Sequence, residues 1–362
     1  MDHKARQRRL QSALAAHRLD ALLVIHPSNV RYLCGFTGSA GAIVISQSKS
    51  VFFTDGRYNE QARVEVQGTR IVVARKSPLT AAAEWLVRNA KKLGVKTLGI
   101  EAEHLSVAER SRLAKVLPSG LRLREAPPLV EQARLIKDGD EIERLRAAVL
   151  LGASLFDVIL KTIRPGVKET EVAAELEYAA RRAGADAMSF DTIIASGARS
   201  ALPHGRASEA VIPANGFVVC DFGVILAGYC SDMTRTVQVG QPNAEMRRVY
   251  AAVRDAQQAA LETVRAGVST GEVDESARKV LRNKGLARHF THSTGHGVGL
   301  EIHETPRLAA GQKDVLQAGM VITIEPGAYI PGVGGVRIED MVVVTDNGCE
   351  ILTPTGKDLI TI

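Results

Sequence analysis

Short apolar runs and helix-period stretches alternate along the first third of the chain. Residues 21–25, 42–45, 51–54 and 97–100 are brief, continuous apolar runs that predict buried strands, whereas 5–17 and 80–93 read as helices. This alternation predicts an α/β domain. Pro127-Pro128 then stiffens the chain in an extended form, and Asp138-Gly139-Asp140 offers a helix cap ahead of a long apolar-periodic stretch reaching residue 163. The boundary is placed after Pro128, giving domains 1–128 and 129–362.

The second domain carries an internal echo. Arg164-Pro165-Gly166-Val167-Lys168-Glu169-Thr170-Glu171-Val172 is matched by Arg265-Ala266-Gly267-Val268-Ser269-Thr270-Gly271-Glu272-Val273 at an offset of 101, and Arg181 and Gly184 recur as Arg282 and Gly285. Each copy predicts a turn, a helix start and a helix closed by glycine. A constant offset over that span predicts two structurally similar halves, with an active site between them.

Composition excludes several classes. A chain of 362 residues, 45% hydrophobic, supports a sizeable core without covalent staples. Its four cysteines, Cys34, Cys220, Cys230 and Cys349, form no C-x-x-C pair, which predicts reduced thiols in a cytoplasmic protein. The basic start is followed by no continuous apolar core of the signal-peptide kind, and no run approaches the roughly 20 apolar residues of a membrane span. Lysine and arginine exceed acids by 46 to 40, a formal +6, but aromatics are only 4% and the one basic cluster, at residues 4–9, reads as a solvated helix face. Nucleic-acid binding is not expected.

Candidate chemistry lies in two hairpin-like stretches. If the turn within 217–237 is centred on Leu226-Ala227, Asp221 stands opposite Asp232. Two like charges facing each other inside apolar runs call for a cation or a shared proton. In the second stretch, 321–344, a turn near Gly332 sets Glu325 opposite Glu339, and period-two alternation puts Arg337 on the face of Glu339, where it would orient that carboxylate. His292, His296 and His303 cluster in a glycine-rich segment, and His204 sits on a Leu-Pro-His-Gly loop. Four carboxylates balance two divalent cations, with one neutral imidazole as a fifth ligand. An oxygen-rich set of this kind suits manganese first, with cobalt or zinc as alternatives. Two such metals would activate a water and polarise a carbonyl, the chemistry of amide hydrolysis.

These residues resemble those of the pita-bread metallopeptidases, in the proline-specific branch containing Xaa-Pro aminopeptidase and Xaa-Pro dipeptidase (prolidase). The likeness spans nearly the whole chain, including Gly35-Phe36-Thr37-Gly38-Ser39-Ala40-Gly41 and Thr54-Asp55-Gly56-Arg57-Tyr58, which are similar to the family's extra amino-terminal domain. The resemblance implies a small α/β creatinase-like domain followed by an α+β pita-bread catalytic domain with a pseudo-twofold repeat. It implies that Asp221 binds one metal, that Asp232 and Glu339 bridge both, and that His296 and Glu325 complete the second. Glu325 would also be the general base. His204, His292 and His303 match outer histidines that hold substrate and stabilise developing charge. Within the branch the amino-terminal motifs favour an Xaa-Pro aminopeptidase acting on short peptides with proline second. Arg307 matches a prolidase position that binds a dipeptide's free carboxylate, so Arg307 and Arg337 are the candidate substrate-binding residues and prolidase is the alternative. A binding protein on the same fold would have lost a ligand, and none is missing. A homodimer is expected from the resemblance.

Overall fold

A computed structural model describes residues 1–362. The chain divides into two compact units, Met1–Arg134 and Leu135–Ile362. The first extends a few residues past the double proline because the helix Leu129–Leu135 is tied into it. Asn29 Nδ2 donates to Glu131 at 2.6 Å, Arg134 Nη1 donates to Asn29 Oδ1 at 2.6 Å, and the Tyr32 hydroxyl donates to the Ala133 carbonyl at 2.9 Å.

The first unit is a six-stranded mixed sheet in the order Arg70–Ala74, Ser50–Asp55, Gly41–Ser46, Ala21–Val24, Thr97–Glu101, Arg122–Ala126. The four predicted strands are its centre, and both predicted helices form as His3–Ala16 and Pro78–Leu93. The sequence reading assigned no element to the helix Pro27–Cys34, although Pro27 opens it and Gly35, at φ 85°, closes it.

The second unit is built twice over. Helices Gly139–Thr162 and Glu169–Arg182 pack on a three-stranded sheet ordered Met233–Val239, Gly216–Phe222, Ile193–Ser196. Helices Ala244–Thr263 and Thr270–Asn283 pack on a five-stranded sheet whose middle strands are Gly295–Gly297, Val321–Ile324 and Asp340–Val344. Asp138 caps the first helix in a reciprocal box with Glu141, as its sequence predicts. The predicted echo holds at three of the four pairs of helix ends: Thr162 and Thr263, Glu169 and Thr270, and Arg182 and Asn283 each lie 101 residues apart. Gly166 and Gly267 make the same left-handed turn, at φ 91° and 88°. Their amides donate to Ile212 and Leu316 respectively.

The two hairpins differ in how well their register was anticipated. In the first, Ile225 pairs with Cys230 and Leu226 with Tyr229, so the turn is Ala227-Gly228, one residue later than predicted. Both turn residues have positive φ, 49° and 82°, the geometry that suits the twist of a tight hairpin. Asp221 is consequently opposite Thr234, not Asp232. The displacement is two partners, which keeps each side chain on its predicted face. In the second hairpin the register is as predicted. Gly327 pairs with Arg337 and Ile324 with Asp340, leaving Glu325 and Glu339 facing each other where the strands break.

No helix is long and apolar enough to cross a membrane.

The strand Gly295–Gly297 runs so close to its neighbour that a Cβ on Gly295 would lie 2.0 Å from the Thr323 carbonyl oxygen. Gly295→Ala should therefore destabilise the protein by about 1–3 kcal/mol, the usual cost of overpacking. An unchanged denaturation midpoint in urea would show that these strands do not meet so tightly.

Candidate active site

Five strand ends and loops of the second unit deliver the candidate ligands to one cavity of about 700 Å³. Asp221 comes from the strand Gly216–Phe222, Asp232 from the irregular step before Met233–Val239, and His296 from Gly295–Gly297. Glu325 follows Val321–Ile324, and Glu339 precedes Asp340–Val344. His204, His292, His303, Arg307 and Arg337 line the same cavity. Every site residue named from the sequence is thus brought together.

His296 shows how a local backbone choice sets chemistry. Its Nδ1 is 2.9 Å from the Gly297 carbonyl, which can only accept, so Nδ1 carries the proton and Nε2 keeps its lone pair. That lone pair points at carboxylates, with Nε2 3.6 Å from Asp232 Oδ2 and 3.5 Å from Glu325 Oε1. Burial lowers the imidazole to about 4, so it is neutral at pH 7, the state in which it can serve as a ligand and not as an ion-pair partner.

Arg337 is placed differently from its expected role. Its Nη2 pairs with Asp221 Oδ2, and its Nε donates to Thr234 Oγ1 at 3.0 Å. Thr234 in turn donates to Glu339 Oε2 at 2.7 Å. The guanidinium therefore reaches Glu339 only through Thr234, because the hairpin register sets Thr234 across from Asp221. Arg337 Nη1 also donates to the Pro203 carbonyl and to the Tyr329 hydroxyl, and the residue is 3% exposed. Its donors are committed within the protein, which makes it a group that positions ligands.

Tyr329 and Thr234 escaped the sequence reading. Thr234 had a weak signal: it stands two residues from Asp232 and so shares that residue's face of an extended stretch, and both are buried. Tyr329 had none. Its hydroxyl accepts from Arg337 at 2.6 Å and lies 2.9 Å from His292 Nε2. His292 Nδ1 faces the Ser293 carbonyl at 2.8 Å, so Nδ1 donates there and Nε2 accepts from Tyr329. Both ring nitrogens of His292 are occupied, and burial lowers its basicity to about 3. His303 is exposed, with its ring 4.5 Å from that of His296 in an edge-on contact, and His204 is exposed on its loop. Of the three outer histidines, these two are open to the cavity.

The carboxylates repel one another. Burial, and then the charges of Glu339, Asp221 and Glu325, push Asp232 well above the ordinary range. Burial, then Glu325 and Asp221, do the same to Glu339, and Glu325 is raised to about 8, again chiefly by burial. Arg337 is a single positive charge against four acids. Asp221 Oδ1, Asp232 Oδ1 and Glu339 Oε1 are buried without any hydrogen-bond partner. One donor atom from each of Asp232, His296 and Glu339 lies within 4.8 Å of the others. Orphaned carboxylate oxygens beside a neutral imidazole lone pair fit divalent cations, which supply the missing partners and the missing positive charge.

Comparison with known proteins agrees with this chemistry. Residues 143–346 match metallopeptidase family M24, and residues 6–136 match the creatinase/prolidase N-terminal domain. An Xaa-Pro dipeptidase of Pyrococcus furiosus is 36% identical over 99% of this chain and 100% of its own length. Among solved structures, an Xaa-Pro dipeptidase from Bacillus anthracis superposes with a TM-score of 0.95 at 42% identity, each chain fully covered. An X-Pro aminopeptidase from Thermotoga maritima superposes at 0.90 with 36% identity, covering 98% of this chain and 100% of its own. The chain belongs to metallopeptidase family M24. It is a metal-dependent hydrolase with a creatinase-like amino-terminal domain and a pita-bread catalytic domain.

Two outcomes follow from the site's electrostatics. A carboxyl raised from 4.5 to about 8 on folding makes the folded state hold more protons than the unfolded state between those values. Stability contributed by that proton is present below about 4.5 and is lost as pH rises through about 8. The melting temperature of chelator-treated protein should thus fall across this window, and metal should abolish the fall; parallel profiles with and without metal would refute it. Asp232→Ala should leave the chain folded while removing activity and bound metal. Metal analysis returning wild-type stoichiometry for the folded variant would exclude Asp232 as a ligand.

Proposed function

We propose that this enzyme is an Xaa-Pro dipeptidase, a prolidase that hydrolyses the bond between an amino-terminal residue and a carboxy-terminal proline. The observation that carries this reading is Arg307. Its exposed side chain lies on the strand Glu304–Leu308 and lines the cavity, where no carboxylate of the protein forms an ion pair with it. A cation so placed fits the free carboxylate of a dipeptide. The sequence reading gave precedence to the aminopeptidase on its amino-terminal motifs. Relatives named as Xaa-Pro dipeptidases or prolidases, in both the sequence and structure comparisons, support the alternative better. The Thermotoga relative keeps the aminopeptidase as a second reading, favoured by longer substrates in the panel below.

Asp221, Asp232, His296, Glu325 and Glu339 would hold two divalent ions, manganese suiting the oxygen-rich donor set. When bound, such a pair supplies Lewis-acid polarisation and water activation. Glu325, across from Glu339, takes the proton of the attacking water and returns it to the departing proline nitrogen. His303 and His204 line the cavity where a tetrahedral oxygen would develop charge, and each has an exposed imidazole to stabilise it. Arg337 fixes Asp221 directly and Glu339 through Thr234, so two carboxylates stay in place while protons move. Phe190, Ile193 and Pro203 form an apolar part of the lining suited to the substrate's side chain or proline ring.

The test is turnover of Xaa-Pro, Xaa-Pro amide and Xaa-Pro-Yaa by metal-loaded enzyme. A dipeptidase should strongly prefer the free acid, and Arg307→Ala should cut kcat/KM for it by about 10- to 100-fold while changing the amide little, as expected for one charge-assisted hydrogen-bonding partner. Efficient cleavage of the tripeptide with indifference to Arg307→Ala would establish the aminopeptidase instead.

A further inference from the structure

One buried ion pair in the second unit has no part in holding metal. Lys137 Nζ lies 3.1 Å from Glu304 Oε2, with the two side chains 2% and 7% exposed. Pairs this deep gain little net stability over apolar replacements, so their geometry carries more meaning than their energy. The Lys137 amide donates to the Gly319 carbonyl at 2.9 Å, which fixes the backbone from which the ammonium reaches.

Glu304 occupies the inside of a tight turn. Its Oε1 accepts the Glu301 amide at 3.1 Å, and a Cβ on Gly299 would come within 2.6 Å of the same oxygen. Gly299 donates to the Glu301 carbonyl and accepts from the Cys230 amide, so the turn is pinned at its start as well. His303 precedes Glu304 directly. Three residues beyond it, Arg307 pairs in register with His296. The turn that this carboxylate fills thus leads directly into both groups.

We infer that Lys137 is a positioning residue: its ion pair with Glu304 holds the 299–304 turn in the shape that aims His303 and Arg307 into the cavity. The inference rests on the reading of those two residues as facing substrate. Without the ammonium, a buried carboxylate loses a countercharge held 3.1 Å away, and the turn it fills is held less firmly.

The experiment compares metal-loaded wild type with Lys137→Met, Glu304→Gln, the double variant and Lys137→Arg. Lys137→Met should keep its bound metal and lose about a hundredfold in kcat/KM on Xaa-Pro, as expected for misplaced groups near a reacting centre. Its preference for the free acid over the amide should shrink, and Lys137→Arg should restore most of both. The double variant should be no worse than the poorer single one, since both ends belong to one contact. Undiminished activity in Lys137→Met, losses that multiply in the double variant, or a folded, loaded Lys137→Arg as poor as Lys137→Met would each overturn the inference. Hydrogen exchange over residues 299–305 reads the turn without any substrate: it should quicken in Lys137→Met, and unchanged protection refutes the role. Wild type that cleaves none of the proline substrates defeats the functional reading instead, leaving the exchange result to judge the turn.

Discussion

Four acidic side chains crowded into one buried space are the constraint from which the rest of the catalytic unit follows. Removed from water, like charges raise one another's proton affinity, and a fold carrying them must supply cations, protons or hydrogen bonds. This chain answers with one guanidinium, a threonine relay and a neutral imidazole, and leaves three carboxylate oxygens with no protein partner. The balance is unfinished by design of the donor set, and divalent ions complete it.

Holding such groups at fixed separations requires stiff supports. Four of the five candidate ligands sit at or near the end of a strand or in the break between two strands, and His296 lies within the short strand Gly295–Gly297, so backbone pairing fixes the direction of each. Arg337 and Tyr329 continue the support inward, and the Tyr329 hydroxyl passes the constraint to His292, whose proton is committed to a backbone carbonyl. Behind this layer Arg235 pairs with Asp340 while also donating to the Glu339 carbonyl, so the backbone at Glu339 and the start of the strand that follows it are held as well. His204, His303 and Arg307 are exposed by contrast, and they are the side chains turned to whatever enters.

Much of this was legible in the residues. The continuous apolar runs of the first unit, the Asp138 cap and the 101-residue echo each appear where the pattern put them, because local periodicity and capping decide them. The Glu325–Glu339 register was legible because a glycine- and proline-rich turn has an obvious centre. The Asp221 register was not, since Ala227 adopts a left-handed conformation that nothing in its side chain announces. Arg337's true partner followed from that same register and was hidden with it. Tyr329 could not be read at all: its part depends on a hairpin folding back over His292, a contact across 37 residues that no local pattern encodes. The choice between two peptidases of one family also lay beyond local pattern, since amino-terminal motifs and Arg307 pulled in opposite directions.

The two matching halves of the catalytic unit share the candidate ligands unequally, Asp221 and Asp232 from the first and His296, Glu325 and Glu339 from the second. Donors divided between two copies of one supersecondary unit resemble what a twofold dimer presents at its axis. Joined in one chain, the halves meet at an effective concentration set by their connection, which does not vary with the amount of protein present. Dilution, which would dissolve a site shared between separate subunits, leaves this one intact, and each half is free to diverge because only its own copy of the sequence has to change.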